Sequence, residues 1–464
     1  MLTRLLSPTL LLLLACCPHF SHAQALLGSW KGALEIQGIS LPLVLHVQEE
    51  QGKLTGSLDS PMQGATGIPL TFIQLKNDTL DWKAGSIAAS FSGRLESDSV
   101  VMGTFSQGGL KLPLRMTPYK EAAESLRPQT PQPPFPYTDV EISFTSGAAN
   151  LAGTLSIPEG EGPFPAIILV AGSGPLNRNQ EIMGHQTFTV LADFLVRKGW
   201  AVFRYDKRGI GASTGDYAKA TTDSLAQDAA QARIAIRSHK SIDSLRIGYL
   251  GHSEGSLISA MVAAQGSMPS FIISLGGPGV RGDSLLLEQT EALSKAGGVG
   301  IDERLANRSL NAAFYRTAAS DKNDRQARWE MELYLSEWLM NFDDTLRVEL
   351  EKQIKEQFPV LLSPWFRRFV QLSPSQFWRK VTCPVLILQG ELDLQVIESN
   401  GTSLRDILRA TGNREVSLNI LPEHNHAFQR AKTGLPAEYG VIRETISMQA
   451  LNQISNWLKR FQTP

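Results

Sequence analysis

Two hydrophobic rhythms divide the chain. Between residues 26 and 118 apolar positions recur at every second residue. Leu41, Leu43, Leu45 and Val47 alternate with Pro42, Val44 and His46, and Leu110, Leu112, Leu114 and Met116 with Lys111, Pro113 and Arg115. Period two turns one face of a strand inward and the other to water. Glycine-bearing turns, among them Gly52, Gly67, Gly85 and Gly108-Gly109, cut the region into short runs. That pattern predicts antiparallel strands closing into a small barrel or sandwich, with Trp30 near its start as a core plug.

Beyond residue 138 the rhythm changes. Residues 140–144 and 151–157 still alternate, but 166–170, 201–203, 271–273 and 385–388 are continuous apolar runs. A strand without a polar face is buried on both sides, the signature of a parallel sheet covered by helices. Helical spacing lies between them, as in Phe188, Leu191 and Leu195, and closes the chain in Ile446, Ala450, Ile454 and Leu458. The expected architecture is α/β. From about 281 to 375 strand patterns vanish and helical spacing takes over, which predicts a helical cap inserted over the carboxyl edge of the sheet. Five prolines in residues 127–136 separate the two rhythms, and so many prolines block helix and sheet alike. The expected organisation is a small β-domain over 24–120, a linker over 121–137 and an α/β domain over 138–464.

The first 23 residues carry Arg4, the apolar run 10–15 and Ser21-His22-Ala23 before Gln24. This is the order of a secretory signal peptide, too short for a membrane span, with cleavage expected after Ala23. The rival is a lipobox at Leu13-Leu14-Ala15-Cys16, which would leave a lipid anchor on Cys16. Both export the protein, to the periplasm or medium. Cleavage after Ala23 would leave Cys383 as the sole cysteine of three, so no internal disulfide is expected and the core must hold the fold. A net charge of −1 argues against a nucleic-acid partner, and no other apolar run is long enough to span a membrane.

The candidate chemistry lies in the α/β region. Gly251-His252-Ser253-Glu254-Gly255 follows an apolar strand and precedes a helical stretch. This strand–turn–helix setting is what Gly-x-Ser-x-Gly requires to expose a serine nucleophile in a strained turn. A serine hydroxyl needs a base and an orienting acid. The acid is expected at the end of a later strand, where 385–389 lead into Gly390-Glu391-Leu392-Asp393, and Asp393 is the choice over Glu391. The base is expected last, from Pro422-Glu423-His424-Asn425-His426-Ala427-Phe428. In an extended segment positions i and i+2 point the same way, so His424 and His426 both stay open on position alone. A metal site from this pair has no companion ligand motif, and no metal or cofactor is expected. For an oxyanion hole the backbone N–H groups expected are those of Glu254, next to the nucleophile, and Ser173, in Gly172-Ser173-Gly174-Pro175 after a buried strand.

Residues 138–464 resemble exported bacterial carboxylesterases of the α/β-hydrolase superfamily, in the branch near dienelactone hydrolases and serine aminopeptidases. The resemblance rests on Gly172-Ser173-Gly174-Pro175, Arg204-Tyr205-Asp206-Lys207-Arg208-Gly209, Gly251-His252-Ser253-Glu254-Gly255, Gly390-Glu391-Leu392-Asp393, Asn425-His426-Ala427-Phe428 and Thr433-Gly434-Leu435-Pro436. It implies an α/β-hydrolase fold and a triad of Ser253, Asp393 and His426. It departs at Asn177-Arg178-Asn179, where such esterases more often carry acidic residues beside the arginine. Asp206 and Arg208 are expected to brace a loop by ion pairing and Trp365, Phe366, Phe369 and Phe377 to pack the cap, and the Glu254 side chain is a lesser candidate for contact with polar substrate. The expected function is an exported serine hydrolase acting on small-molecule carboxylic esters. The alternatives are a peptidase or amidase with the same triad, and a non-catalytic ligand-binding protein.

Overall fold

The computed structural model describes residues 26–36, 39–50, 52–60, 65–97, 99–107, 110–119 and 127–462. The expected signal segment, its cleavage after Ala23, Cys16 and residues 121–126 of the expected linker lie outside the described residues. Clustering of contacts divides the chain near residue 121 into two compact units.

The first unit is one antiparallel sheet of nine strands: β1 (Gly28–Ile36), β2 (Ile39–Glu50), β3 (Lys53–Ser60), β4 (Ala65–Pro69), β5 (Phe72–Lys76), β6 (Thr79–Ala84), β7 (Ala89–Ser97), β8 (Val100–Gln107) and β9 (Leu110–Tyr119). Their spatial order is β4-β3-β2-β1-β9-β8-β7-β6-β5. The period-two reading holds, since Leu43, Leu45, Val47, Leu114 and Met116 are buried around Trp30 and Trp82. The barrel-like domain expected is present as a curled sheet that does not fully close: among the described residues no ladder joins its edge strands β4 and β5. Only two residues link those edges. Leu70 N–H bonds back to Gly56 at 3.0 Å and Thr71 N–H to Lys83 at 2.8 Å, so the chain spends its hydrogen bonds crossing between edges instead of pairing them. Gly93 and Gly103 face each other across β7 and β8, where a Cβ on Gly103 would meet Gly93 Cα at 2.3 Å, and this bare spot permits the tight coil.

The second unit is built on an eight-stranded sheet. Its strands are β10 (Tyr137–Ser146), β11 (Ala149–Pro158), β12 (Phe164–Val170), β15 (Ala201–Tyr205), β16 (Ile242–His252), β17 (Ile272–Leu275), β18 (Val385–Gly390) and β19 (Val416–Leu421), and a separate small hairpin pairs β13 (Glu181–Ile182) with β14 (His185–Gln186). The order is β10-β11-β15-β12-β16-β17-β18-β19, antiparallel through β10, β11 and β15 and parallel from β15 onward. Helices α1 (Thr187–Val196), α2 (Thr222–Arg237), α3 (Glu254–Ala264), α11 (Ser399–Ala410) and α12 (Met448–Leu458) cover it. Phe188, Leu191, Leu195, Ile454 and Leu458 pack one face, and Leu225, Ile236, Leu257 and Met261 the other. This two-sided burial is why the central strands have no polar face. The cap runs from α4 (Gly282–Ala296) through α5 (Ile301–Ala318), α6 (Asp324–Leu339), α7 (Asp344–Lys355), α8 (Phe358–Leu361) and α9 (Pro364–Gln371) to α10 (Ser375–Trp378). It has a core of its own around Phe314, Met331, Leu335, Phe358 and Phe366.

The proline-rich stretch is anchored within this second unit. Arg127 donates to the carbonyls of Met183 (3.0 Å), Gly440 (2.7 Å) and Ile442 (3.1 Å), and Gln129 bonds the backbone of Thr445 and Ile446. A proline-rich segment has little entropy to lose, so a few bonds suffice to hold it down.

Candidate active site

Ser253 stands between β16 and α3 with φ 55° and ψ −122°, a conformation a side chain adopts only under strain. The flanking glycines make the turn possible. A Cβ on Gly251 would sit 2.1 Å from Gly255 O, and one on Gly255 would sit 2.0 Å from Val170 O. The turn lifts the serine to the carboxyl end of a central strand, where open α/β sheets hold their ligands.

Asp393 follows β18 and is 2% exposed. Its Oδ1 accepts from the N–H groups of Gln395 (2.9 Å) and Val396 (2.8 Å), and its Oδ2 from Gln389 Nε2 (3.1 Å) and His426 Nδ1 (2.7 Å). Four donors suit a buried carboxylate and leave one of them, the imidazole, pointing into the site. The bond also fixes the His426 tautomer, leaving Nε2 as the acceptor. The structure thus brings His426, and not His424, to Asp393. His424 is turned inward: its Nδ1 donates to Pro422 O and its Nε2 accepts from Ser447, both at 2.6 Å. The extended geometry that left the two histidines equivalent is absent. Glu423 and Phe428 have φ of 59°, and Asn425 Oδ1 accepts from the N–H groups of Ala427 and Gln429, so the segment is a tight turn. Among the described residues no cluster of three His, Cys, Asp or Glu could hold a metal ion, and no helix is long and apolar enough to cross a membrane.

Gly172 approaches Ser253 closely, and a Cβ there would lie 3.2 Å from Ser253 Cβ. Glu254 opens α3, so its N–H has no acceptor within its own helix. The Glu254 carboxylate does not face the cavity. It is 1% exposed and accepts from Ser173 Oγ (2.9 Å), Thr222 Oγ1 (2.7 Å) and Trp365 Nε1 (2.9 Å).

Three supports escaped the sequence reading. His252 donates from Nε2 to His426 O (2.9 Å), while its Nδ1 accepts from Gln180 (3.2 Å), and Gln180 in turn accepts from Gly172 N–H (3.2 Å). Burial, then the neighbouring His426, pushes the His252 pKa down to about 3, so it works as a neutral relay. Gln389 ties Asp393 to Val396 O. Lys207 Nζ donates to the carbonyls of Gly172 and Gly174, the latter at 3.0 Å. Local patterns could not find His252 and Lys207, whose partners lie far along the chain, whereas Gln389 bonds residues only four and seven positions on. The braces expected elsewhere are present with their own partners: Asp206 holds Arg178, which also reaches Glu141, and Arg208 holds Asp228. Burial alone would raise the Asp206 carboxyl, but the bonds from Arg178 outweigh it and hold it below the usual range. This gives the atypical Asn177-Arg178-Asn179 loop its role, since Arg178 pins it to the strand end. Trp365 stacks on Phe369 at 5.2 Å within the cap.

Ser253 and His426 share the wall of a cavity of about 320 Å³. Leu176, Ile182, Met183 and Pro436 form its apolar side, and Gln289 and Leu293 of the cap close it. No Asp, Glu, Lys or Arg is among its lining residues.

Two family models match parts of the chain. The family model described as serine aminopeptidase, S33 matches residues 184–326, which include Ser253. The model of the prolyl oligopeptidase family matches 340–443, which include Asp393 and His426. Each covers under half of the chain. Esterase EstD of Thermotoga maritima is 23% identical over 393 residues, 83% of this chain and 79% of the relative. Among solved structures, an esterase of Pyrococcus furiosus matches 71% of this chain and 92% of its own at 15% identity and a TM-score of 0.43. A proline iminopeptidase of Mycobacterium smegmatis matches 70% and 99% at 16% identity and the same TM-score of 0.43. With its strand order, its strained serine turn and its matches to two serine-hydrolase family models, the chain is a serine hydrolase of the α/β-hydrolase fold.

Proposed function

We propose that the protein hydrolyses carboxylic esters of small, uncharged acyl groups. Ser253 Oγ attacks the ester carbon while His426 Nε2 takes its proton, and Asp393 holds the ring and stabilises the imidazolium. The N–H groups of Ser173 and Glu254 receive the oxyanion. The bond to the alcohol oxygen then breaks, and His426 returns the proton to the departing alkoxide. Water next gives a proton to His426 and attacks the acyl-enzyme, which frees the acid and restores Ser253.

The observation that carries the ester reading is the cavity wall. An enzyme that anchors a charged amino terminus would need a carboxylate there, and none lines it. The name of the Thermotoga maritima relative supports the same reading. The test is a panel of p-nitrophenyl esters against aminoacyl and peptidyl anilides. Short neutral esters are expected to dominate by kcat/KM, and faster anilide cleavage would make the protein a peptidase. Fluorophosphonate labelling at Ser253 separates both from a non-catalytic binding protein.

We also propose export, supported by Arg4, the apolar run 10–15 and Ser21-His22-Ala23. Intact mass of the secreted protein should give an N-terminus at Gln24; a diacylglyceryl group on Cys16 would mean a lipoprotein instead.

A further inference from the structure

We infer that Lys207 and Glu254 are positioning residues that grip the 172–174 loop from its closed side and thereby aim the Ser173 N–H at the oxyanion. The inference rests on the roles proposed above for Ser253 and Ser173.

The argument is one of peptide geometry. Gly172 C=O and Ser173 N–H belong to one peptide unit, which is not among the cis bonds of the chain. In a trans unit the two groups point in opposite directions. Whatever holds the carbonyl therefore aims the N–H. Lys207 Nζ holds it, together with Gly174 O two residues on. Gly172 and Ser173 line the cavity beside Ser253, whereas Lys207 lies behind them against Val170, Tyr205, Leu225 and Ile258. With its carbonyl pulled toward Lys207, the peptide presents its N–H on the cavity side.

Two further bonds remove the remaining freedom. Glu254 takes the Ser173 hydroxyl at 2.9 Å, and Gln180 takes the Gly172 N–H at 3.2 Å. The same Glu254 carboxylate accepts from Trp365 of the cap, so the cap is fastened to the loop that holds the oxyanion donor.

A buried cation needs a reason to be there. Lys207 is 4% exposed. The charged and titratable groups facing it are Glu254 on α3, Asp228 on α2, already paired with Arg208, the Tyr217 ring at 5.7 Å, and Tyr205, which lines the same small pocket. Burial, only partly offset by Glu254 and Asp228, lowers its pKa to about 8. A methionine of similar length would pack there without that cost, and what the ammonium adds is a charge-assisted grip on two carbonyls.

The experiment is Lys207→Met in the full chain, assayed on a short p-nitrophenyl ester per site titrated by fluorophosphonate. A trifluoromethyl ketone serves as the second probe. Ser253 Oγ adds to its carbonyl carbon, the proton passes to His426, and the carbonyl oxygen becomes an oxyanion that needs the aimed N–H. We expect kcat to fall on the order of 10²-fold, KM to stay within about threefold, and ketone affinity to weaken by the same factor as kcat. A structural role alone would lower the number of titrated sites and leave the values per site unchanged. Should Lys207→Met not fold, Glu254→Gln keeps the shape and loses the charge, and its expected loss is about tenfold in kcat and ketone affinity together. Folded Lys207→Met with wild-type kcat and ketone affinity, or in its place folded Glu254→Gln with both, overturns the inference. Turnover by Ser253→Ala at the wild-type rate would instead overturn the reading on which it rests.

Discussion

Among the described residues serine, histidine and aspartate come together twice, once in each unit, and each time the aspartate is hydrogen-bonded to the histidine. In the second unit Asp393 bonds His426 at 2.7 Å, and His426 shares a cavity wall with Ser253. In the first, Asp59 bonds His46 at 2.9 Å and His46 bonds Ser29 at 2.8 Å. The residue types are the same and the bonds are of similar length. Their surroundings differ. The side chains of Asp393 and His426 are 0% and 7% exposed, those of Asp59 and His46 19% and 22%. Ser253 sits in a strained turn at a helix start, with backbone N–H groups beside it. Ser29 sits in a regular antiparallel ladder directly opposite His46, on the sheet face away from Trp30 and Leu45. There its neighbours' N–H and C=O groups belong to the ladder, and the groove of that unit lies elsewhere, along Phe72, Trp82 and Phe91. Contact among three side chains is cheap on a polar sheet face. What sets the Ser253 site apart is its strained turn, the burial of its histidine and aspartate, and the cavity beside it.

The largest effect tests this contrast directly. Ser253→Ala and His426→Ala should each lower kcat by on the order of 10⁴ to 10⁶, since triad members act as a unit. Ser29→Ala, assayed on the same p-nitrophenyl ester, should leave the rate unchanged. A deep loss at Ser29 with turnover kept at Ser253 would invert the comparison. The second effect concerns the histidine turn. His424→Ala removes the bond to Ser447 that closes the turn carrying His426. We expect roughly a tenfold loss in kcat through misplacement of the base, with circular dichroism unchanged. A loss as deep as that of His426→Ala would make His424 the base.

A third measurement compares how the two regions hold charge. Lys31, two residues from Ser29, is exposed, whereas Lys207 is buried behind the 172–174 loop. Lowering of its pKa from 10.5 to about 8 gives a signed prediction. Below pH 8 both folded and unfolded chains hold the proton, and the cost of burying it is present in full. Between 8 and 10.5 only the unfolded chain holds it, so folding stability from this group rises with pH. The rate moves the other way, because the neutral amine grips the carbonyls less strongly. Wild type should lose activity several-fold above about pH 8 while gaining stability relative to Lys207→Met. Parallel pH profiles in the two proteins would count against it.

Much of the second unit was legible because its signals are local. Continuous apolar runs mark strands buried on both faces, and Gly-x-Ser-x-Gly needs only five residues to state its geometry. Asp393 could be placed because a strand end is visible in sequence. His426 could not be separated from His424 on position, because the reading assumed an extended segment, and the turn about Asn425 and the His424–Ser447 bond break that assumption. The open edge of the β-sheet was hidden for a related reason. Alternation reports which face of a strand is buried and says nothing of whether the last strand pairs with the first. The proline-rich stretch read as a linker because its anchors are more than 300 residues distant, at Gly440, Ile442, Thr445 and Ile446.

Those anchors give the fourth prediction. Arg127 bonds the carbonyl of Met183, a cavity-lining residue, and those of Gly440 and Ile442 between the lining residues Tyr439 and Thr445. Arg127→Met should raise KM about three- to fivefold with little change in kcat, because it loosens the wall and leaves the nucleophile alone. A chain starting at residue 127 should keep this wall, and one starting at 137 should match the substitution. Equal KM in all three proteins would make the stretch a plain tether.

The smallest effect closes the comparison from the other side. His46 joins Ser29 on β1 to Asp59 on β3 across the outer face of the first sheet, and Asp59 also accepts the Gly67 N–H at 2.6 Å. The trio is a cross-strand polar tie. Its partners are partly exposed, so water replaces much of what is lost when it is cut. His46→Ala should cost about 0.2–1 kcal/mol in the unfolding of the first unit, read by urea titration, and should not alter ester hydrolysis. A fall in turnover beyond about twofold in a folded His46→Ala protein would mean that three side chains in contact on an open sheet face contribute chemistry after all, and that the contrast drawn from burial, strain and the cavity is wrong.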